Sequence, residues 1–328
     1  MVKQLKVLVT GGAGFIGSHI VDELVKNGID THVIDDLSTG DQNNLNSNKN
    51  ENLFHIHIGN IKNLKSTLNK IHDIDVVFHQ AAIVSVQKSI TDPQLVHNTN
   101  VNLTLQLMDY CVQNRVKFIF ASSAAVYGKV NDVTISEDHY CKPISPYGAS
   151  KLAIENYLHS YKESFGMEYV VLRYFNVFGP RQKYTSEYGG VIPTFIDKLL
   201  KKESPVIYGE GLQTRDFVSV TDVVQANILA MNSRKASGQI FNVGTGSGTT
   251  IIDLLQMLKK VTRFSECKTI FQQRKVGDIH SSVACVDKIQ HMLGYRPTDM
   301  ESELEKLVHE LEKYNGCIPL ALTPRRRR

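Results

Sequence analysis

The chain has 328 residues, 42% of them hydrophobic and 21% charged, with 22 Gly and 9 Pro, which excludes a wholly disordered chain and a collagen-like one. Its formal net charge of +4 is carried by the four terminal arginines, Arg325 to Arg328, so the body is neutral and no basic nucleic-acid-binding face is expected. No apolar run approaches the roughly 20 residues of a membrane span.

The elements alternate along the chain. Lys6–Thr10 (KVLVT) is a short continuous apolar run, as expected of a buried parallel strand. A glycine-rich turn follows, then helical spacing from Ile16 to Lys26. Further strands are expected at Thr31–Ile34, Phe54–Ile58, Asp75–His79, Lys117–Ala121 and Tyr169–Arg173, with a helix over Thr99–Gln113. This βαβ rhythm predicts an α/β fold: a Rossmann-type doubly wound parallel sheet followed by a smaller C-terminal α/β domain. The first domain is assigned to residues 1–179 with returning segments near 214–245. The second takes the rest of 180–316, and 317–328 form a frayed tail. An irregular stretch after Gly179 precedes helices expected near 192–202, 221–233, 250–262 and 300–313. The Asn-rich segment 41–52 is expected to be a surface loop. The N-terminus lacks the h-region and cleavage site of a signal peptide. Five scattered cysteines without C-x-x-C fit a reduced cytoplasm, and no metal-ligand spacing such as H-E-x-x-H occurs.

Three local signals carry chemistry. Gly11, Gly14 and Gly17 give G-x-x-G-x-x-G between a strand and a helix. A turn of this kind brings backbone N–H groups against a pyrophosphate at the positive end of the helix. Asp35 closes the second strand, 18 residues beyond Gly17, where a carboxylate accepts hydrogen bonds from a ribose diol. With Asp36 beside it and no Arg nearby, NAD is expected rather than NADP. Tyr147 and Lys151 stand at i and i+4 in SPYGASK, on one face of a helix. A neighbouring ammonium stabilises phenolate, so Tyr147 is expected to act as a general base on a hydroxyl.

These motifs, with Ser123 in SSAAVYG, VIDDLSTG (33–40), FHQAA (78–82), LRYFNVFGPRQ (172–182), GGVIP (189–193), TRDFVSVTDV (214–223) and FNVGTG (241–246), resemble the extended short-chain dehydrogenase/reductase family. Within it, the chain is similar to NAD-dependent nucleotide-sugar epimerases acting at C4 of UDP-hexoses, over roughly residues 5–300.

The resemblance implies Ser123, Tyr147 and Lys151 as catalytic residues. It implies an NAD site of Gly11, Gly14, Phe15, Ile16, Gly17, Asp35, Asp36, Leu37, Ser38, Thr39, Gly40, Asn60, Ile61, Gln80, Ala81, Ala82, Thr99, Tyr147, Lys151 and Tyr174. A UDP-sugar would be met by Ser85, Ser123, Asn176, Val191, Ile192, Tyr208, Arg215, Arg274, Lys275, Asp278 and Ser282. Arg215 would bind the diphosphate, and either Arg274 or Lys275 would assist. Val191 and Ile192 also fit a core reading, Asp278 a turn cap, and Ser282 an ordinary loop serine. Ala124 and Ala125 follow Ser123 where dehydratases and decarboxylases of the family carry acids, which disfavours those reactions.

The resemblance also implies a gate for the C2 substituent four residues past Asp278, and Ser282 there leaves room for an N-acetyl group, which favours UDP-GlcNAc and UDP-GalNAc, alongside UDP-Glc and UDP-Gal. Rival readings are a UDP-glucose epimerase with little N-acetyl activity, a UDP-glucuronate 4-epimerase, another nucleotide-sugar reductase, or a non-catalytic NAD-binding regulator. Leu103 replaces a usual Gly, hinting at altered helix packing. The helices starting near Thr99 and Tyr147 have apolar residues all round, and the family pairs them into a four-helix bundle, which implies a homodimer.

Overall fold

A computed structural model describes residues 4–46, 53–59, 67–68, 71–130, 134–183, 190–273 and 281–315, without the side chains of 313–315. The expectations for Asn60, Ile61, Arg274, Lys275, Asp278, the tail and part of the Asn-rich segment lie outside the described residues.

Strands β1 (Lys6–Thr10), β2 (Asp30–Asp35), β3 (Phe54–Ile58), β4 (Val76–His79), β5 (Lys117–Ser123) and β6 (Tyr169–Tyr174) fall where the apolar runs place them. The short strands β7 (Asn176–Phe178), β8 (Val206–Tyr208), β9 (Thr214–Arg215), β10 (Phe217–Ser219), β12 (Thr249–Thr250), β13 (Ile270–Gln272) and β14 (Ser281–Ser282) carry too little pattern to be read beforehand, as does the longer β11 (Gln239–Val243). Seven strands form one sheet in the order β11-β6-β5-β4-β1-β2-β3, and every pairing in it is parallel. The order reverses between β1 and β4, and in such sheets ligands bind in the crevice at the carboxyl ends there.

The helices are α1 (Phe15–Lys26), α2 (Val86–Thr91), α3 (Pro93–His97), α4 (Leu103–Asn114), α5 (Pro146–Phe165), α6 (Val191–Leu200), α7 (Val220–Asn232), α8 (Ile251–Val261), α9 (Asp287–Leu293) and α10 (Met300–Asn315). Between α3 and α4 the backbone widens into a π-helical turn over Asn98–Asn102, immediately before the buried Leu103. Proteins place such turns often at functional sites.

Both faces of the sheet are covered. One core joins Val7, Val9, Val33 and Phe78 to Ile20 and Leu24 of α1 and Val223 of α7. The other joins Leu8, Val77, Phe118 and Val171 to Leu107 of α4 and Ile154 of α5. A third cluster packs α6, α8 and α10 around Phe178, Ile207 and Phe217. Ala284, Val286 and Ile289 return to the first core. Among the described residues, no helix is long and apolar enough to cross a membrane.

Candidate active site

The glycine turn is forced by close packing. Gly11 adopts φ +70°, and a Cβ there would lie 2.7 Å from the Ala81 backbone nitrogen. A Cβ on Gly17 would lie 2.2 Å from the Gly11 carbonyl oxygen, so the helix can sit on the turn only if residue 17 has no side chain. Gly14 caps α1 without a side-chain hydrogen bond, and the first turn holds no acid. By contrast, Ser145 and Thr250 each cap their helices with a side chain. The first N–H groups of α1, at Phe15 and Ile16, therefore keep the unsatisfied donors and partial positive charge that suit a phosphate.

Asp35 is buried at the end of β2. Its carboxylate accepts the Ala13 N–H at 2.9 Å and the Leu37 N–H at 2.8 Å. Burial raises its pKa, and those two bonds pull the other way. Asp36 is exposed and caps Ser38 N–H at 2.9 Å. Thr39 is exposed and Gly40 packs against Asp35. The acid thus ties the glycine turn to the Leu37–Gly40 loop, and this cradle fits the adenosine side of a dinucleotide.

Deeper in the crevice, Gln80 Nε2 donates to the Tyr174 hydroxyl at 3.2 Å, and Asn227 Nδ2 donates to the same oxygen at 2.8 Å. Burial pushes the Tyr174 pKa up to about 12. Asn100, from the π-turn, holds both backbone groups of Ile83, at 2.8 and 3.0 Å, and reaches Ser150 Oγ at 3.1 Å. It fixes the loop after Ala82 to α5, while Thr99 is half-buried beside it. Asn100 was not among the expected site residues, and Asn within a helix is the signal that could have found it. Ser85 is buried and caps α2, accepting the Lys88 N–H at 3.0 Å.

The reactive group is assembled by α5. Ser145 caps this helix by accepting the Gly148 N–H at 3.1 Å, and Pro146 opens it. A Cβ on Gly148 would lie 2.6 Å from the Ala125 carbonyl, so Gly lets the first turn press onto the end of β5. That contact brings the Tyr147 hydroxyl next to Ser123. Tyr147 is 9% exposed, and burial raises its pKa with Ser123 as the offset. Lys151 is also buried, donating to the Ala121 carbonyl at 2.7 Å and lying 4.8 Å from the Phe120 ring centre.

Here the structure amends the expectation that Lys151 lowers the Tyr147 pKa. Burial drives the lysine down to about 7, against the pull of Glu155, and its ammonium is engaged by a carbonyl and a ring face. The compensating influence on Tyr147 comes from Ser123 instead.

Beyond β6, a cavity of about 520 Å³ collects Asn176, Val191, Ile192, Tyr208 and Arg215, five residues expected to meet the sugar nucleotide. Phe178, Gln182, Gln213 and Phe217 also line it and were not anticipated. Asn176 donates from Nδ2 to the Asp216 carbonyl at 2.9 Å. Asp216 does not form a surface pair with Arg215. It is fully buried, accepting from Thr245 N, Thr245 Oγ1, Gly246 N and Ala284 N at 2.7–3.1 Å. This clamp fixes β9, where Ser282 of β14 stands opposite Arg215. Ser282 is half-buried and lies outside the residues that line the cavity.

Comparison with known proteins agrees with this geometry. The model of the NAD dependent epimerase/dehydratase family matches residues 7–244. A putative UDP-glucose 4-epimerase of Methanocaldococcus jannaschii is 39% identical over 94% of this chain and 99% of its own. The solved UDP-glucose 4-epimerase of Thermotoga maritima with UDP-glucose superposes with a TM-score of 0.89 at 37% identity, covering 95% of this chain and 100% of that one. The UDP-N-acetylglucosamine 4-epimerase of Methanobrevibacter ruminantium M1, in complex with UDP-N-acetylmuramic acid, gives 0.89 at 39% identity with the same coverage. Fold, glycine cradle and sequence together place the chain in the NAD dependent epimerase/dehydratase family.

Proposed function

We propose that the protein inverts C4 of a UDP-hexose through a transient 4-keto sugar. It would favour UDP-GlcNAc and UDP-GalNAc, with UDP-Glc and UDP-Gal as further substrates. The observation that carries this reading is the buried Tyr147, with Ser123 beside it and Lys151 one turn on, near a cavity lined by Arg215 and Asn176. Ser123 is the β5 residue in register with Tyr174, two residues before Asn176, so the proton-transfer groups and the cavity adjoin.

The NAD cradle would be Gly11–Gly17, Asp35 and the Leu37–Gly40 loop, with Asn60 and Ile61 completing the adenine side. NAD supplies a hydride acceptor and donor when bound. Tyr147 would take the proton of the 4-hydroxyl, and Ser123 would hold the 4-oxygen. Lys151 would hold the nicotinamide ribose, its buried amine turned from the Ala121 carbonyl toward that partner. Arg215 suits phosphate because a guanidinium presents parallel donors. Val191, Ile192 and Tyr208 would enclose the uracil, Asp278 its ribose, and Arg274 or Lys275 the diphosphate. Relatives named UDP-glucose and UDP-N-acetylglucosamine 4-epimerase support the reaction class.

The cofactor would be carried by residues 1–179 with 214–245, and the sugar nucleotide by the rest of 180–316. We place the protein in the cytoplasm, where the free thiols of Cys111, Cys141, Cys267 and Cys285 persist. A homodimer through α4 and α5 would cover Tyr157 and Phe165, which are 43% and 60% exposed.

Proton NMR of UDP-GlcNAc and of UDP-Glc incubated with NAD-loaded protein tests the reaction. The axial-4-hydroxyl epimer is expected from UDP-GlcNAc, and Tyr147→Phe should slow it by roughly 10²–10⁴-fold. Ser282→Tyr should remove UDP-GlcNAc turnover and spare UDP-Glc. No conversion of either sugar, with turnover of UDP-glucuronate, would replace this reading by uronate epimerisation.

A further inference from the structure

At the opposite end of β2 from Asp35, the edge of the sheet gathers Asp30, His32 and His55. His32 and His55 are paired residues on neighbouring parallel strands, and their rings stack with centres 4.5 Å apart. Asp30 lies two residues before His32, so the strand pleat puts both on one face and Asp35 on the other. Asp30 Oδ1 stands 3.5 Å from His32 Nε2 and 3.3 Å from His55 Nε2. The three ligand atoms all lie within 4.8 Å of one another.

Two of these atoms are orphans. Asp30 Oδ1 and His32 Nε2 are buried and have no hydrogen-bond partner among the described residues. His32 as a whole is 9% exposed. Buried polar atoms without hydrogen bonds are costly, and a cation held by both would satisfy them. The two separations from Asp30 Oδ1, 3.5 and 3.3 Å, are those of neighbouring ligands on one metal ion. Tetrahedral zinc, with bonds of about 2.0–2.1 Å, holds neighbouring ligand atoms about 3.3–3.4 Å apart.

The surroundings prepare the ligands. His32 Nδ1 is 3.1 Å from His57 Nε2. With Nδ1–H donated to His57, the Nε2 lone pair of His32 points into the cluster, the arrangement that second-sphere partners impose on metal-bound imidazoles. Lys6 Nζ engages the other Asp30 oxygen at 3.8 Å, leaving Oδ1 for the cluster. The ligands come from two strands, so no short sequence spacing displays them.

We propose that Asp30, His32 and His55 bind one zinc ion, with water as fourth ligand and His57 as second-sphere partner, and that the ion staples the edge strand β3 to β2. The site lies apart from the cofactor and sugar residues, so it acts on stability and not on the chemical step.

The test uses the full-length, untagged protein stripped with a chelator. Zn²⁺ titrated by calorimetry should bind one ion per chain. Co²⁺ should give the intense visible bands of four-coordinate cobalt, and added Zn²⁺ should raise the melting temperature. Asp30→Asn and His55→Ala should each abolish stoichiometric binding and the melting shift. His57→Ala should weaken binding by roughly 10–100-fold. His55 is partly exposed and Asp30→Asn is isosteric, and unchanged circular dichroism establishes that the variants fold. Failure of the wild-type protein to bind one ion, or wild-type affinity in both Asp30→Asn and His55→Ala, overturns the proposal.

Discussion

One helical turn beyond Lys151, the carboxylate of Glu155 is gripped by the guanidinium of Arg173, with Nη2 to Oε2 at 2.6 Å and Nε to the two oxygens at 3.1 and 3.2 Å. Both side chains are buried, Ser122 Oγ donates to the same carboxylate at 2.5 Å, and Arg173 Nη1 donates to the Tyr127 hydroxyl at 2.9 Å. Tyr127 in turn donates to Asn242 at 2.6 Å, so one polar chain links α5 to β11 across the sheet. Breaking one side leaves an uncompensated charge, which costs about 3–5 kcal/mol. Arg173→Met and Glu155→Leu should each lose roughly that much in urea unfolding, and the double variant should lose less than the sum.

Acid should weaken the fold through His79. Its ring is held by the Thr10 and Thr104 hydroxyls at 2.7 and 2.8 Å and is almost fully buried. Burial, then the Lys151 charge, pushes its pKa down to about 3 from 6.5. The unfolded chain therefore binds the proton first. Stability is full above pH 6.5 and falls as pH drops toward 3, by roughly 2 kcal/mol between pH 6.5 and 5. His32, also lowered, adds in the same direction. Urea midpoints at pH 7 and pH 5 measure the loss, and His79→Gln should shrink it.

Gly17→Ala should remove cofactor binding before it alters any catalytic group. Its Cβ would overlap the Gly11 carbonyl oxygen at 2.2 Å, and backbone on both sides cannot yield cheaply. The helix terminus must then shift away from the phosphate site. Fluorescence titration should show NAD affinity falling at least about 10-fold, about 1.4 kcal/mol, with Gly28→Ala as a control in open space but at positive φ.

Much of this was legible because the signals were local. KVLVT and DVVFH read as strands from composition alone, and the turn between β1 and α1 announces its backbone through Gly11 and Gly17. Tyr147 and Lys151 could be placed on one face by counting. Their electrostatics could not, because the state of Lys151 depends on Ala121, Phe120 and Glu155, which only the fold brings near. The cavity was half legible: Arg215 and Ile192 stood in recognisable motifs, whereas Gln213 reaches it from the loop before β9 and Phe217 from the three-residue β10, segments too short to carry periodicity. The fate of Asp216 was hidden for the same reason, since its partners lie about 30 and 70 residues away.

The position of β11 has a consequence for how the chain comes together. This strand pairs with β6, yet 64 residues separate Tyr174 from Gln239. During synthesis at about 5–20 residues per second, the open edge of β6 waits several seconds for its neighbour. An unpaired strand edge is a template for wrong pairing. Newly made chains therefore pass through a window in which crowding, high expression or a ribosomal pause before residue 239 favours aggregation, although the finished sheet has that edge covered.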